Sequence, residues 1–173
     1  MKELSAELRK AQEYENKALK EENENKFPVF HLKVPTGWMN DPNGFSVFKG
    51  KVHLFYQYHP YSSVWGPMHW GHQKTRDFIK WEQLPCALAP DTEYDGQGCF
   101  SGSAVEHEGK HILMYTGVLD RVEADGSHTL RQTQCIAVGD GVNYEKLPAN
   151  PVITADTLPE GSSGEDFRDT RIW

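Results

Sequence analysis

The chain has 173 residues, 38% of them hydrophobic, and a formal charge of -7 at pH 7. This length and composition suit one globular unit with a buried core rather than a disordered tail. The negative charge would repel nucleic acid and anionic membranes at long range, so neither is expected as a partner. A neutral or small polar ligand fits better.

The start of the chain, MKELSAELRK, alternates acids and bases where a secretion signal needs an apolar core. No stretch approaches the length of a membrane span, so a cytoplasmic protein is expected. Cys86, Cys99 and Cys135 are an odd set without a CxxC pair. They predict free thiols rather than a disulfide framework or a zinc site.

Two regions differ in pattern. Residues 1–26 carry Leu4, Leu8 and Ala11 at helical spacing among charged and amide residues, which predicts an exposed helix docked by one narrow stripe and ended by Pro28. Residues 27–173 contain short runs rich in Val, Phe, Tyr and Ile, separated by Gly, Pro, Asn and Asp. They predict an all-β domain.

The β region contains an internal repeat. Segments 50–56 and 109–115 both begin with Gly-Lys and share Leu and Tyr, 59 residues apart, while segments 77–85 and 140–148 share an initial Asp, an aromatic residue and a final Leu-Pro, 63 residues apart. Each copy predicts four strands, which make one blade of a β-propeller. Two similar hairpins in a β-sandwich are the weaker alternative, since a sandwich needs no shared unit of that length.

The first strand of every propeller blade lines the central channel, so residues on successive first strands converge. Asp41, Ser101 and Asp169 occupy such positions, and two carboxylates in one channel are the starting condition for glycoside hydrolysis. Arg168, next to Asp169, is either half of a surface ion pair or a clamp for sugar hydroxyls that keeps Asp169 ionised.

The segment 40–44, read alone, is a turn. Trp38 before it, and Gln57, Trp65 and Trp70 after it, add the aromatic and amide groups that bind sugars. His59, His69 and His72 invite a metal interpretation, but no HExxH motif accompanies them. Packing or hydroxyl hydrogen bonding is expected for these histidines, and no metal or cofactor is predicted.

Five blocks of sequence carry a family resemblance. In chain order they are WMNDPNG (38–44), FYQYHP (55–60), WGPMHWGH (65–72), FSG (100–102) and FRD (167–169). Together they resemble glycoside hydrolase family 32, which comprises invertases, fructanases and sucrose-6-phosphate hydrolases. The resemblance implies a five-bladed propeller, of which this chain would be the N-terminal two to three blades behind an N-terminal α-helix.

The resemblance also implies roles. Asp41 resembles the nucleophile of a retaining mechanism, and Asp169 resembles the transition-state stabiliser that binds fructose hydroxyls. The implied substrate contacts are Trp38, Met39, Asn40, Gln57, Trp65, Phe100, Ser101 and Arg168.

Two features depart from the family pattern. Thr170 stands where the family has Pro after Arg-Asp, which is expected to loosen the backbone that holds Asp169. The family's acid/base is a Glu in a Glu-Cys motif, and no such motif occurs in these 173 residues. Glu106, Glu108 and Glu165 lie outside one, and Glu106 and Glu108 belong to a predicted hairpin turn. The sequence therefore predicts a truncated catalytic domain that is inactive alone.

The predicted function is hydrolysis of terminal β-D-fructofuranosides, sucrose or sucrose 6-phosphate. The charged leader makes the bacterial sucrose-6-phosphate hydrolases the nearest type. A fructan hydrolase and a non-catalytic carbohydrate-binding remnant remain as alternatives.

Overall fold

The computed structural model describes residues 3–21 and 30–173. It contains one α-helix, eight β-strands and a short 3₁₀ helix at Ala155–Thr157 within these residues. The elements are α1 (Ala6–Glu21), β1 (Trp38–Phe48), β2 (Lys51–His59), β3 (His69–Thr75), β4 (Trp81–Leu88), β5 (Gly98–His107), β6 (Lys110–Val122), β7 (His128–Gly139) and β8 (Tyr144–Lys146).

The strands form two antiparallel four-stranded sheets with the orders β1-β2-β3-β4 and β5-β6-β7-β8. Each sheet is one copy of the repeat, so the two predicted blades are confirmed. Both Gly-Lys segments begin inside hairpin turns, which are formed by Lys49–Gly50 and by Glu108–Gly109. All four turn residues have positive φ, between 49° and 73°, as tight hairpin turns that match the strand twist require.

Helix α1 begins at a side-chain cap and packs on the outer strand of the first blade. The Ser5 hydroxyl accepts the Leu8 N–H at 3.1 Å, which satisfies one free donor of the first turn. Leu8 and Ala11 are buried against Tyr58 and other side chains of β2 and β4. The predicted apolar stripe is confirmed, while Pro28, the predicted end of the helix, lies outside the described residues.

Two polar side chains of α1 also bind the edge strand β4. Gln12 donates to the Cys86 carbonyl at 2.9 Å, and Glu15 accepts the Cys86 N–H at 2.8 Å. The helix thus occupies backbone groups that an edge strand would otherwise expose to another chain. The sequence pattern had indicated only the apolar contacts of this helix.

The two blades meet at a buried histidine, His111. Its ring stacks on Phe48 at 4.7 Å between centroids. Ser46 donates its hydroxyl hydrogen to the Gly44 carbonyl, so His111 Nε2 donates to the Ser46 oxygen at 2.9 Å. His111 Nδ1 accepts the Tyr144 hydroxyl at 2.7 Å. Burial, followed by the neighbouring His53, lowers the pKa of His111 to about 3, which keeps the ring neutral at pH 7.

Cys86, Cys99 and Cys135 are buried free thiols. Burial raises the pKa of Cys135 to about 11, and the pKa values of Cys86 and Cys99 also lie well above the usual range because both thiols are buried. Among the described residues, no helix is both long and apolar enough to cross a bilayer.

Candidate active site

The first strands of the two blades, β1 and β5, contact each other, and each carries a β-bulge at a predicted site residue. In β1 the register shifts between Asn40 and Pro42, so Asp41 lies in the bulge. In β5 it shifts between Phe100 and Gly102, so Ser101 lies in the bulge. Bulges re-aim a side chain out of the regular alternation, and they are common next to active sites.

The Asp41 side chain is exposed, and its neighbours are held by local hydrogen bonds. The Trp38 indole N–H donates to Asn40 Oδ1 at 2.8 Å, which fixes the orientation of that amide. Asn43 donates to the Asp41 carbonyl at 3.3 Å. Pro42 contributes no N–H to the ladder, which suits the irregular pairing at this point.

Two buried side chains of the first blade donate to the backbone of β5. Gln57 Nε2 donates to the Cys99 carbonyl at 3.0 Å, and Trp70 Nε1 donates to the Phe100 carbonyl at 3.2 Å. Trp70 is fully buried, so the expectation that it belongs to the sugar-stacking aromatics is wrong. Its indole packs in the core and fixes the strand that carries Ser101.

Trp65 is an exposed aromatic residue between β2 and β3. Its side chain is 55% exposed and meets the half-buried Phe100 ring edge to face at 6.4 Å. Gly98 permits this arrangement, since a Cβ there would lie 2.9 Å from the Phe100 ring. Met39 is also exposed. An exposed indole above the first strand of the second blade is a suitable platform for a sugar ring.

The segment that carries Asp169 has no regular secondary structure, yet it is bound to the second blade on both sides of Asp169. Gln134 Nε2 donates to the Phe167 carbonyl at 2.6 Å. Ser103 Oγ donates to the Thr170 carbonyl at 3.0 Å and accepts the Ile172 N–H at 2.8 Å. Asp169 is therefore placed beside β5, the strand that carries Ser101.

Arg168 does not pair with Asp169. Its Nη1 lies 2.8 Å from Asp166 Oδ1, and both side chains are substantially exposed. The predicted pair of Arg168 with Asp169 is wrong, because the guanidinium is engaged by the carboxylate of Asp166, two residues earlier in an irregular segment where sequence adjacency does not decide which side chains meet. Because Arg168 binds Asp166, the structure gives no support to the expectation that Arg168 keeps Asp169 ionised.

The expected loosening by Thr170 stays a prediction, while the carbonyl of Thr170 accepts a hydrogen bond from Ser103. Asp169 has a φ of 60°, in the left-handed region. A following proline would push Asp169 toward extended backbone, whereas threonine imposes no such restriction. Thr170 is therefore compatible with the left-handed conformation of Asp169.

The three histidines considered as metal ligands make bonds within the protein. His59 and His69 each direct Nδ1 at the Pro67 carbonyl, at 3.3 and 3.0 Å, and His72 Nε2 lies 2.9 Å from His53 Nδ1. Burial lowers the pKa of His69 to about 4. Within residues 3–21 and 30–173 no three His, Cys, Asp or Glu side chains are grouped to hold a metal ion.

The sequence interpretation missed the groups that hold the site. Gln134, Ser103 and Thr116 were not singled out, although the repeat offers a way to find one of them. Thr116 follows Gln57 by the same 59 residues that separate the two Gly-Lys turns. Gln57 donates to the Cys99 carbonyl on the first strand of the next blade, whereas Thr116 donates to the Ser101 carbonyl on β5, the first strand of its own blade.

Comparison with known proteins is consistent with this geometry. The sequence model described as Glycosyl hydrolases family 32 N-terminal domain matches residues 31–173. A sucrose-6-phosphate hydrolase of Zymomonas mobilis is 47% identical over 148 residues, which are 85% of this chain and 28% of that protein. One of Escherichia coli is 48% identical, over 85% of this chain and 30% of that protein.

Among solved structures, a β-fructofuranosidase of Bombyx mori superposes with a TM-score of 0.80 at 46% identity, covering 95% of this chain and 33% of that one. This similarity confirms the prediction of a partial propeller. The chain spans less than a third of the length of the curated relatives named above.

Proposed function

The chain belongs to glycosyl hydrolase family 32, and from that membership we propose that it forms the part of a β-fructofuranosidase that carries the nucleophile. The observation that carries the proposal is the exposed Asp41 in the bulge of β1, a strand that contacts β5 and its Ser101 bulge, within the matched residues. In this proposal residues 27–173 belong to the catalytic propeller domain, and residues 1–26 form a leader outside the site.

The proposed reaction is a retaining hydrolysis in two displacements. Asp41 attacks the anomeric carbon of the fructosyl unit, the leaving oxygen takes a proton from a general acid, and water then releases fructose. Asp169 binds fructose hydroxyls and stabilises the transition state. The acid is the family's Glu, which comes from outside these 173 residues.

The substrate contacts are proposed on the basis of position. Trp38, Met39 and Asn40 precede Asp41 on β1, Phe100 and Ser101 lie at the bulge of β5, and Trp65 offers an exposed indole. Gln57 donates one amide N–H to the Cys99 carbonyl. Its proposed sugar contact is therefore made by the other N–H or by the amide oxygen. Arg168 contacts substrate in this proposal without pairing with Asp169.

Sucrose or sucrose 6-phosphate is the proposed substrate. The support is the name of the Zymomonas mobilis relative and a solved variant of the Bombyx mori enzyme in complex with sucrose, 44% identical with a TM-score of 0.83. A fructan is the second candidate, because a Cichorium intybus fructan 1-exohydrolase in complex with 1-kestose is 35% identical with a TM-score of 0.67. A cytoplasmic location is also proposed, since three free thiols suit a reducing compartment.

The test is Asp41→Asn in the full-length enzyme, with Asp156→Asn, an exposed aspartate of the short 3₁₀ helix, as the matched control. Removal of the nucleophile should lower kcat by on the order of 10³-fold or more on the best substrate, while the control stays within about twofold. Hexose release from sucrose, sucrose 6-phosphate and 1-kestose ranks the substrates. A kcat close to that of the unchanged enzyme would refute the assignment, and sugar binding without turnover by the unchanged enzyme would favour a binding protein.

A further inference from the structure

We propose that Gln134 and Ser103 are positioning residues that hold Asp169 in place for the transition state. The inference rests on the proposed function and deepens it, because it says what fixes the second carboxylate. Neither side chain is assigned a contact with the sugar. Both act on the backbone on either side of Asp169, and their effect on the reaction is exerted through that residue.

The repeat shows that Gln134 occupies a specific structural position. In the first blade Trp70 pairs across the strands with Gln57, and in the second blade Gln134 pairs with Thr116. Trp70 donates to the carbonyl of Phe100, one residue before Ser101, and Gln134 donates to the carbonyl of Phe167, two residues before Asp169. Each blade thus uses the same position of its third strand to hold a backbone carbonyl beside the next site residue.

Backbone pairing supports this equivalence. Cys99 N–H donates to the Met68 carbonyl at 2.8 Å, which joins the start of β3 to the start of β5. Gln132 N–H donates to the Gly164 carbonyl at 3.2 Å, which joins β7 to the Asp169 segment. Met68 and Gln132 each lie two residues before the donor side chain, Trp70 or Gln134. The segment 164–169 is therefore bound to the second blade much as β5 is bound to the first.

The Gln134 amide has one orientation that satisfies its neighbours. The residue is fully buried, and its Oε1 lies 3.0 Å from the Thr116 hydroxyl, which makes it a nearer acceptor for the single hydroxyl hydrogen than the Ser101 carbonyl at 3.3 Å. Its Nε2 faces the Phe167 carbonyl, which can only accept. A flipped amide would place oxygen against oxygen at 2.6 Å. The side chain is locked, and a locked donor defines the position of its acceptor.

Ser103 completes the hold on the other side. Its hydroxyl donates to the Thr170 carbonyl and accepts the Ile172 N–H, so both hydrogen-bonding functions of one side chain bind the same segment. Asp169 lies between the two anchors with a φ of 60°, a left-handed conformation that aspartate enters more readily than most non-glycine residues, so the anchors act by fixing its position. Loss of either anchor would free the backbone to leave this conformation.

The test compares Gln134→Met with Gln132→Met in the full-length enzyme. Gln132 is the matched control because it lies on the same face of β7, is 4% exposed, and has an Oε1 without a hydrogen-bond partner among the described residues. Gln134→Met should lower kcat/KM by about 10- to 100-fold with most of the loss in kcat, since small displacements of a reacting group are costly. Gln132→Met should stay within about threefold and should lower the melting temperature less than Gln134→Met, because its Oε1 has no hydrogen bond to lose among the described residues.

A double-mutant cycle separates positioning from general stability. In an Asp169→Asn background, Gln134→Met should cause less than about twofold further loss, because its effect is exerted through the carboxylate that is already gone. Equal losses for the two glutamine variants, or a full further loss in the Asp169→Asn background, would overturn the proposal. Unchanged activity of Asp41→Asn would instead refute the proposed function, so the two failures are distinguishable.

The Ser103 pair keeps the proposal testable if Gln134→Met does not fold. Ser103→Ala removes the hydroxyl and should lower kcat by about 10-fold or more, whereas Ser103→Thr keeps the hydroxyl on a residue suited to a strand and should restore it. Near-normal kcat in Ser103→Ala would overturn the role of Ser103. An equal loss of kcat in both variants would do the same, because it would show that packing matters and the hydroxyl does not.

Discussion

Replacing Glu15 with glutamine should stabilise the protein at neutral pH. Glu15 is 2% exposed on the inner face of α1. One carboxyl oxygen accepts the Cys86 N–H, and the other has no hydrogen-bond partner among the described residues. Burial raises the pKa of Glu15 from 4.5 to about 8, against the smaller opposing effect of the Cys86 bond. The folded protein therefore holds a protonated Glu15 at pH 7, whereas the unfolded chain holds an ionised one.

The sign and the size of the effect follow from this difference. A carboxyl with a raised pKa contributes its full stability below pH 4.5, and this contribution is lost as the pH rises toward 8. At pH 7 the loss corresponds to about 2.5 pH units at 1.36 kcal/mol each, or about 3 kcal/mol. Glutamine does not titrate, so Glu15→Gln should recover about that amount at pH 7 and nothing at pH 4.

The hydrogen bonds of the glutamine side chain offset only part of this gain. The glutamine oxygen can accept the Cys86 N–H as the carboxyl does. Its amide N–H₂ takes the place of a carboxylic O–H that already lacks a partner within the described residues. The exchange leaves the number of local hydrogen bonds unchanged but buries one more N–H without a partner, since the amide has two donors where the acid has one; this cost reduces the gain at pH 7.

The assay is urea unfolding, followed by circular dichroism at pH 4, 7 and 8.5. Glu13→Gln is the control, since Glu13 is an exposed carboxylate of the same helix. The difference between each variant and the unchanged protein cancels every other titrating group. If Glu15→Gln gained no more stability than Glu13→Gln at pH 7, the carboxyl would be ionised in the folded state. If Glu15→Gln gained the same at pH 4 as at pH 7, the gain would not come from titration. Either result would refute the reasoning.

Two further predictions concern acid and turnover. Burial lowers the pKa of His53 to about 4 and that of His111 to about 3, so both rings resist protonation when folded. The two neutral rings contribute to the free energy of unfolding above pH 6.5, and this contribution is lost as the pH falls toward 4. The urea midpoints of His111→Asn and of the unchanged protein should therefore converge near pH 4. The 173-residue chain alone should release no hexose beyond an Asp41→Ala control, since loss of a general acid costs about 10²- to 10⁴-fold. Release above that control would show that a carboxyl of this chain serves as the acid.

The blades could be predicted because their determinants are local in sequence. Two patterns recur at fixed distances. One is a Gly-Lys pair whose Gly belongs to a tight turn, and it marks a hairpin; the other is an Asp followed by an aromatic residue and Leu-Pro, and it marks a strand. Asp41 and Ser101 could be assigned to first strands for the same reason. That both lie in bulges could not be predicted, because a bulge depends on how the partner strand pairs.

The errors have a common cause, which is that sequence neighbours were taken as spatial partners. Arg168 was paired with the adjacent Asp169, whereas it binds Asp166. Trp70 was grouped with the sugar-binding residues because it belongs to the aromatic and amide stretch after residues 40–44, yet it is fully buried. Glu15 resembled any other charge on an exposed helix, and only the packing of α1 on β4 shows that it is buried.

The inter-blade hydrogen bonds explain why a site assembled from distant segments can be accurate. Asp41, Ser101 and Asp169 lie on three successive segments, and a rigid sheet alone would not fix one segment relative to the next. Trp70 holds the second segment from the first blade, and Gln134 holds the third from the second blade. Because each segment is fixed by the blade before it, the accuracy of the site depends on these buried donors as much as on the carboxylates. Their replacement should therefore impair the reaction without touching the sugar.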